Sequence, residues 1–311
     1  MSPIQKAVTL LGAGTQGTRL AYMVRFLPLH IRQSRTAPKL VKHQWSRCGQ
    51  PVYLIDKNKS QLDRAWKQIQ SLRDQGSYLG SDGSGKWGDV IRASSDELKP
   101  ALAESWLTVE CVPESLALKK TVVQELDSLA GQQTIVASNS SSYTITEILD
   151  SLKLKFPDRF ASLHSYWPPE TPAIEIMGDQ HTRPDIISLL KEQTRQHGFE
   201  PFHVRKSSTG YIYNRIWAAI KREALFTIQE GVATPEEVDG IFKAVLKTPK
   251  GPCEQMDVVG LDVVLDIENH YAEVRPGLPD EPRKLLKEML AQGKLGVKSG
   301  SGFFEYKGKE H

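Results

Sequence analysis

His164 and Glu175 stand eleven residues apart, each beside apolar residues that read as strand, in Leu163-His164 and Ile174-Glu175-Ile176. Two such strands can present an imidazole and a carboxylate to one cleft. A histidine titrates near neutral pH, so it can take a proton from an alcohol oxygen or return one, and a carboxylate behind it fixes the tautomer and steadies the cation. Upstream, the apolar run ending at Ala137 opens into Ser138-Asn139-Ser140-Ser141-Ser142, which puts hydroxyls at a strand end. On residue type alone His164 could equally be a hydrogen-bonded core residue and Glu175 a surface carboxylate. The context that decides between these comes from the two ends of the chain.

At the amino end, Ala7-Val8-Thr9-Leu10-Leu11 is a compact aliphatic run that enters Gly12-Ala13-Gly14-Thr15-Gln16-Gly17 and then a helical segment with Leu20 and Ala21. Strand, glycine turn and helix come in the order a dinucleotide site requires. Gly12 makes the tight turn, Gly14 lets the backbone approach a pyrophosphate, Gly17 lets helix and strand pack, and the helix amino end around Thr15 and Gln16 faces the phosphates. An acid at the end of the second strand, about 20 residues on, would bind the adenosine ribose. Pro51-Val52-Tyr53-Leu54-Ile55-Asp56 supplies that strand and that acid, yet Asp56 lies thirty-nine residues after Gly17. The surplus is visible from Val24 to Trp45, basic throughout and without a clean period. It reads as a basic surface excursion or as intron sequence carried into the translated chain. Asp56 favours NAD, since a carboxylate accepts from free ribose hydroxyls and repels a 2′-phosphate, while Lys57 and Lys59 leave NADP open.

Further along, Lys59 to Arg73 reads as helix, Gly76 to Gly88 as a Gly/Ser-rich loop, Ile91–Ser94 and Trp106–Val112 as strands, and Ser95–Glu104 as the helix between them. Pro113-Glu114-Ser115 then leads into a helix near Leu116 that carries Lys119, at the strand end where open α/β sheets bind ligands. Glu114 and Lys119 are therefore candidates for the nicotinamide-ribose end, with solvated helix-face charges as the alternative. Pro201–Val204 is a last strand, and Lys206–Gly210 a hinge-like break. After it the pattern turns helical: a segment from Ile212, a helix that Thr234 caps ahead of Pro235, one over Val258–Ala272 and one over Glu281–Gln292. The expected fold is α/β, a Rossmann-type doubly wound sheet over 1–206, followed by a smaller all-helical unit over 207–311.

The bulk numbers agree with that organisation. A chain of 311 residues with 39% apolar and 25% charged residues is ordinary for a two-domain globular protein. The formal net charge of +3 is too balanced for a nucleic-acid or membrane-surface binder. Cys48, Cys111 and Cys253 are far apart and lack ligand spacing, so no zinc site or disulfide framework is expected. With no apolar run of membrane length and a strand near the amino end, the expected location is cytosolic.

Several motifs together resemble the 3-hydroxyacyl-CoA dehydrogenase family. They are the glycine turn, Val109-Glu110-Cys111-Val112-Pro113-Glu114, Ala137-Ser138-Asn139-Ser140-Ser141-Ser142, Arg159–His164, Ile174-Glu175, Thr209–Arg215, Gly260-Leu261-Asp262 and Lys298–Phe304. The resemblance implies an NAD-dependent oxidoreductase of fatty acid metabolism in which His164 is the acid/base and Glu175 its orienting carboxylate. It gives Ser141 a hydrogen bond to the substrate oxygen and makes Asn214 polarise that oxygen from the second domain. Glu114, Lys119 and Asn139 fall at cofactor positions, and the all-helical domain implies a homodimer. Two departures stand out. His164 is followed by Ser165-Tyr166-Trp167-Pro168-Pro169, where the family usually has two aromatics, an asparagine and one proline. The stretch from Lys59 to Glu104 is also shorter and richer in glycine than the hairpin that helps the family hold coenzyme A. The substrate is thus a small hydroxy or keto compound, with the CoA link open. A non-catalytic dinucleotide-binding relative is a further alternative.

Overall fold

The computed structural model of the protein describes residues 6–24, 51–74, 89–168 and 170–306. The basic stretch beyond Val24 and the Gly76–Gly88 loop lie outside the described residues. Two compact units are present, Met1–Tyr211 and Ile212–His311.

The first unit alternates strand and helix: β1 (Ala7–Leu11), α1 (Thr15–Val24), β2 (Val52–Ile55), α2 (Lys59–Asp74), β3 (Val90–Ala93), α3 (Leu98–Glu104), β4 (Ser105–Glu110), α4 (Leu116–Leu129), β5 (Ile135–Ser138) and α5 (Ile145–Leu149). It closes with β6 (Phe160–Ser165), β7 (Ala173–Gly178), α6 (Pro184–Gln196) and β8 (Glu200–Val204). The strands form one sheet in the order β3-β2-β1-β4-β5-β6-β7-β8. β1 to β6 run parallel, and β7 turns back against β6. Parallel strands must be covered on both faces, which is why they read as largely apolar runs. Val8, Leu10 and Leu54 pack with Leu20, Leu62 and Ile69 of α1 and α2 and with Ile186 and Leu190 of α6. Ile55, Ala93 and Val136 pack on the opposite face with Leu102, Val123, Leu126 and Ile148 of α3, α4 and α5.

The chain winds outward from β1 in one direction and from β4 in the other, so the switch point of this doubly wound sheet lies between β1 and β4. All six parallel strands end at the same edge. That edge collects Gly12, Asp56, Val112, Asn139 and Tyr166, each just beyond its strand.

The second unit holds α7 (Tyr213–Gln229), α8 (Pro235–Leu246), α9 (Pro252–Val259), α10 (Leu261–Val274) and α11 (Glu281–Ala291). Leu225, Cys253, Met256, Leu261, Val264 and Leu286 form its core. The single helix expected over Val258–Ala272 is in fact two. Gly260 takes φ 102°, a conformation that ends α9 before α10 begins. α9 starts at Pro252, whose missing N–H costs nothing in a first helical turn, and the Asp239 carboxylate accepts from the Cys253 and Glu254 amides there. α5 and α6 add two helices to those expected in the first unit.

Candidate active site

His164 and Glu175 are direct partners across the antiparallel pair of β6 and β7. Opposed residues in such a pair point to the same face with Cβ atoms about 5 Å apart, so the eleven-residue spacing is that of a hairpin closing on itself. Both side chains are buried, His164 at 4% exposure and Glu175 at 2%. The His164 Nδ1 lies 3.7 Å from Glu175 Oε2, within ion-pair reach but beyond a hydrogen bond. The same oxygen accepts from the Tyr166 hydroxyl. Among the described residues Nδ1 has no hydrogen-bond partner.

Two tyrosines fix the imidazole. Tyr211 stacks on it with ring centroids 4.7 Å apart and planes 12° from parallel, and Tyr166 meets it edge-on at 4.7 Å. Tyr211 sits at φ 55°, rare for a residue with a side chain, and its hydroxyl donates to Ser140 O at 2.7 Å. Burial pushes the Tyr211 phenol up, so it remains a donor throughout the neutral range.

The glycine turn fits a dinucleotide. A Cβ at Gly17 would lie 1.9 Å from Gly12 O, and one at Gly12, where φ is 109°, would lie 2.7 Å from Cys111 O. At Gly14 a Cβ would meet nothing within 4 Å, which is the open approach a pyrophosphate needs. Asp56, at the end of β2, accepts from Ala13 N at 2.9 Å and from Asn58 N, so its carboxylate sits against the turn. Thr15 is exposed at the start of α1. Gln16 instead spends its amide on Tyr166 O at 2.8 Å.

Glu114 and Lys119 belong to a charged cluster at the end of β4. Lys119 is 1% exposed; its Nζ donates to both oxygens of Glu110 at 3.1 Å and to Val112 O, and lies 3.2 Å from Glu114. It is therefore no solvated helix-face charge. Burial alone would lower the Lys119 pKa, but the two carboxylates outweigh it and hold the ammonium above its usual range. Burial likewise pushes the Glu114 carboxyl up, yet Lys119 and donors from Ser140 and Ser142 bring it below the usual carboxylate range. Glu114 accepts from the Ser140 hydroxyl and from the Ser141 and Ser142 amides, so it shapes the serine loop. Ser141 is exposed on that loop. Asn139 is buried, and its Oδ1 accepts from Ser165 N at 2.8 Å, which joins the ends of β5 and β6. Asn214 lies in the first turn of α7, in the second unit.

The sequence did not single out Tyr166, Tyr211 or Glu110 as site residues. Tyr166 lies two residues beyond His164, a spacing that returns to the same face where the chain stays extended past β6. Among the described residues no group of three or more His, Cys, Asp or Glu could hold a metal ion.

Known proteins agree with this architecture. The family model described as 3-hydroxyacyl-CoA dehydrogenase, NAD binding domain, matches residues 39–207, and that for the C-terminal domain matches 210–306. The glycine turn precedes the first match. The chain is 28% identical over 307 residues to 5-formyl-3-hydroxy-2-methylpyridine 4-carboxylate 5-dehydrogenase of Mesorhizobium japonicum, covering 96% of this chain and 90% of that relative. It is 29% identical over 311 residues to the mitochondrial hydroxyacyl-coenzyme A dehydrogenase of Mus musculus, covering 97% and 91%. The crystal structure of the (S)-3-hydroxybutyryl-CoA dehydrogenase of Ralstonia eutropha superposes with a TM-score of 0.79 at 26% identity, covering 97% of this chain and 99% of that one. With both family domains matched in order along its length, the protein belongs to the 3-hydroxyacyl-CoA dehydrogenase family of NAD-dependent oxidoreductases.

Proposed function

We propose that the protein interconverts a 3-hydroxyacyl substrate and its 3-keto form, with His164 as general acid/base. The observation that carries this reading is the buried His164–Glu175 pair, set across β6 and β7 on the strand that ends at the ligand-binding edge. NAD, when bound, supplies the hydride acceptor. His164 takes the hydroxyl proton as the carbon is oxidised, or returns it in reduction. Glu175, 3.7 Å from Nδ1, is placed to receive Nδ1–H once the ring has taken the proton. The tyrosines at its face and edge keep the ring from turning away. Ser141 keeps the role the resemblance gives it, as a donor to the oxygen on which charge develops. Asp56 takes the adenosine ribose and Gly14 the pyrophosphate.

General acid/base assistance is worth about 10² to 10⁴ in rate. His164→Ala should lower kcat by that factor and leave NADH binding by fluorescence titration unchanged; undiminished turnover would remove His164 from the mechanism. Acetoacetyl-CoA against free β-keto acid, with NADH, sets the substrate class. A second reading, a substrate free of coenzyme A, has support in the Mesorhizobium relative, whose name gives a pyridine carboxylate as its substrate. The working form is a homodimer in this reading. Its support is the exposed apolar set Ile241, Val245 and Leu246 of α8, each more than half accessible, and light scattering on the purified protein tests it.

A further inference from the structure

The connection leaving β6 carries the strand of His164 into Tyr166, Trp167 and Pro168, and α1 holds it from outside. Gln16 Nε2 bonds Tyr166 O. One turn further along α1, Arg19 Nη1 donates to Pro168 O at 2.6 Å and pairs with the Glu170 carboxylate. Its guanidinium also lies 4.2 Å from the centre of the Trp167 ring. Arg19 is 7% exposed.

Packing does not explain an arginine at this position. Its neighbours Leu20, Ala21 and Tyr22 belong to the apolar core, and burying a guanidinium there costs free energy that an aliphatic side chain would not. What the guanidinium adds is geometry. A rigid fork can reach a carbonyl and a carboxylate at once and still offer a flat face to an indole. Together, Gln16 and Arg19 engage Tyr166, Trp167, Pro168 and Glu170 from one face of the helix that the glycine turn opens.

We propose that Arg19 is a positioning residue that fastens the His164-bearing connection to the cofactor helix, so that filling the dinucleotide site and fixing the imidazole are one event. The inference rests on the assignments of His164 and of the glycine turn made above. Hydride transfer is sensitive to small displacements, since an error of about 1 Å can cost about a hundredfold in rate.

The test uses the full chain and reads amide exchange over residues 163–172 by mass spectrometry, with and without NADH, beside steady-state kinetics. In the wild type NADH slows exchange across this segment. Arg19→Gln should lose that slowing, bind NADH more weakly by the factor the lost coupling is worth, and show kcat lowered by about tenfold or more. The isotope effect with NADH deuterated at the transferred hydrogen should rise. Arg19→Lys keeps a charge for Glu170 and a donor for Pro168 O, and should recover part of both the protection and the rate. Glu170→Gln, which alters the half-exposed partner alone, should lose part of both. The proposal is overturned if Arg19→Gln keeps the NADH-dependent protection of the wild type, or if its kcat per folded molecule is unchanged. Should the wild type reduce no keto substrate at all, the substrate reading fails, and the exchange experiment still decides on Arg19.

Discussion

Lys119 and Glu110 form a buried ion pair, and such pairs are asymmetric in their energetics. Taking two charges out of water costs several kcal/mol per ion, so the pair adds little net stability, but removing one partner leaves the other charged and dry. Lys119→Met leaves Glu110 at 0% exposure without its cation, and a loss of about 3–5 kcal/mol in urea unfolding is expected. A variant as stable as the wild type would overturn the reading that Glu110 depends on Lys119 for its burial. The pH dependence has a definite sign. Glu114 binds its proton more weakly folded than unfolded, so the stability it lends is complete above the ordinary carboxylate range and is lost as pH falls through the depressed value. Lys119→Met should shrink that acid-side loss. At this scale the sequence was legible where a short spacing maps onto one element, as with His164 and Glu175 in a hairpin. It was not legible for Tyr211, whose ring reaches His164 through tertiary folding alone, nor for Glu110, whose buried partner Lys119 lies across the connection from β4 in the first turn of α4.

Among the elements, the parallel strands were readable because burial on both faces forces apolar runs, and α1 because a glycine turn preceded it. α9 was not, since eight residues give little periodicity and its start depends on a carboxylate from α8, Asp239, that no local pattern announces. The glycine turn also yields the sharpest test at this scale. A methyl at Gly17, in the first turn of α1, would collide with Gly12 O at 1.9 Å, and that oxygen is backbone of the turn, so relief must come from moving α1 off β1. Gly17→Ala is therefore expected to abolish NADH binding while costing about 1–3 kcal/mol of stability, the usual range for overpacking. Calorimetric titration with NADH and thermal unfolding of the same sample separate the two effects. Binding at wild-type strength would show that the turn does not hold the pyrophosphate.

For the whole molecule, the sequence places the division after Lys206, at the start of the Lys206–Gly210 break, and contacts group the chain through Tyr211, the residue whose ring stacks on His164, with the first unit. The second unit has its own electrostatic signature. On α7, Arg222 Nε is bonded to Glu268 Oε2 of α10 at 2.9 Å, while the neighbouring Lys221, 6% exposed, is pushed down to about 8, chiefly by burial. A lysine with a lowered folded-state pKa opposes folding while it must be charged. Between about pH 8 and its ordinary value of 10.5 the unfolded chain binds the proton and the native one does not, so the penalty shrinks as pH rises through that window. At about 1.4 kcal/mol for each tenfold change in proton affinity, the full effect is on the order of 3 kcal/mol. Desolvated thiols act in the opposite direction above their own range, the half-buried Cys111 and the buried Cys253 both being pushed up, so the wild-type profile alone would mix the two effects. The difference between the wild type and Lys221→Met isolates the lysine. The variant should be the more stable protein at pH 7, and its advantage in urea unfolding should fade between pH 8 and 10. An advantage that stays constant across that range would mean that Lys221 remains charged in the native state and that its methionine replacement stabilises through packing alone.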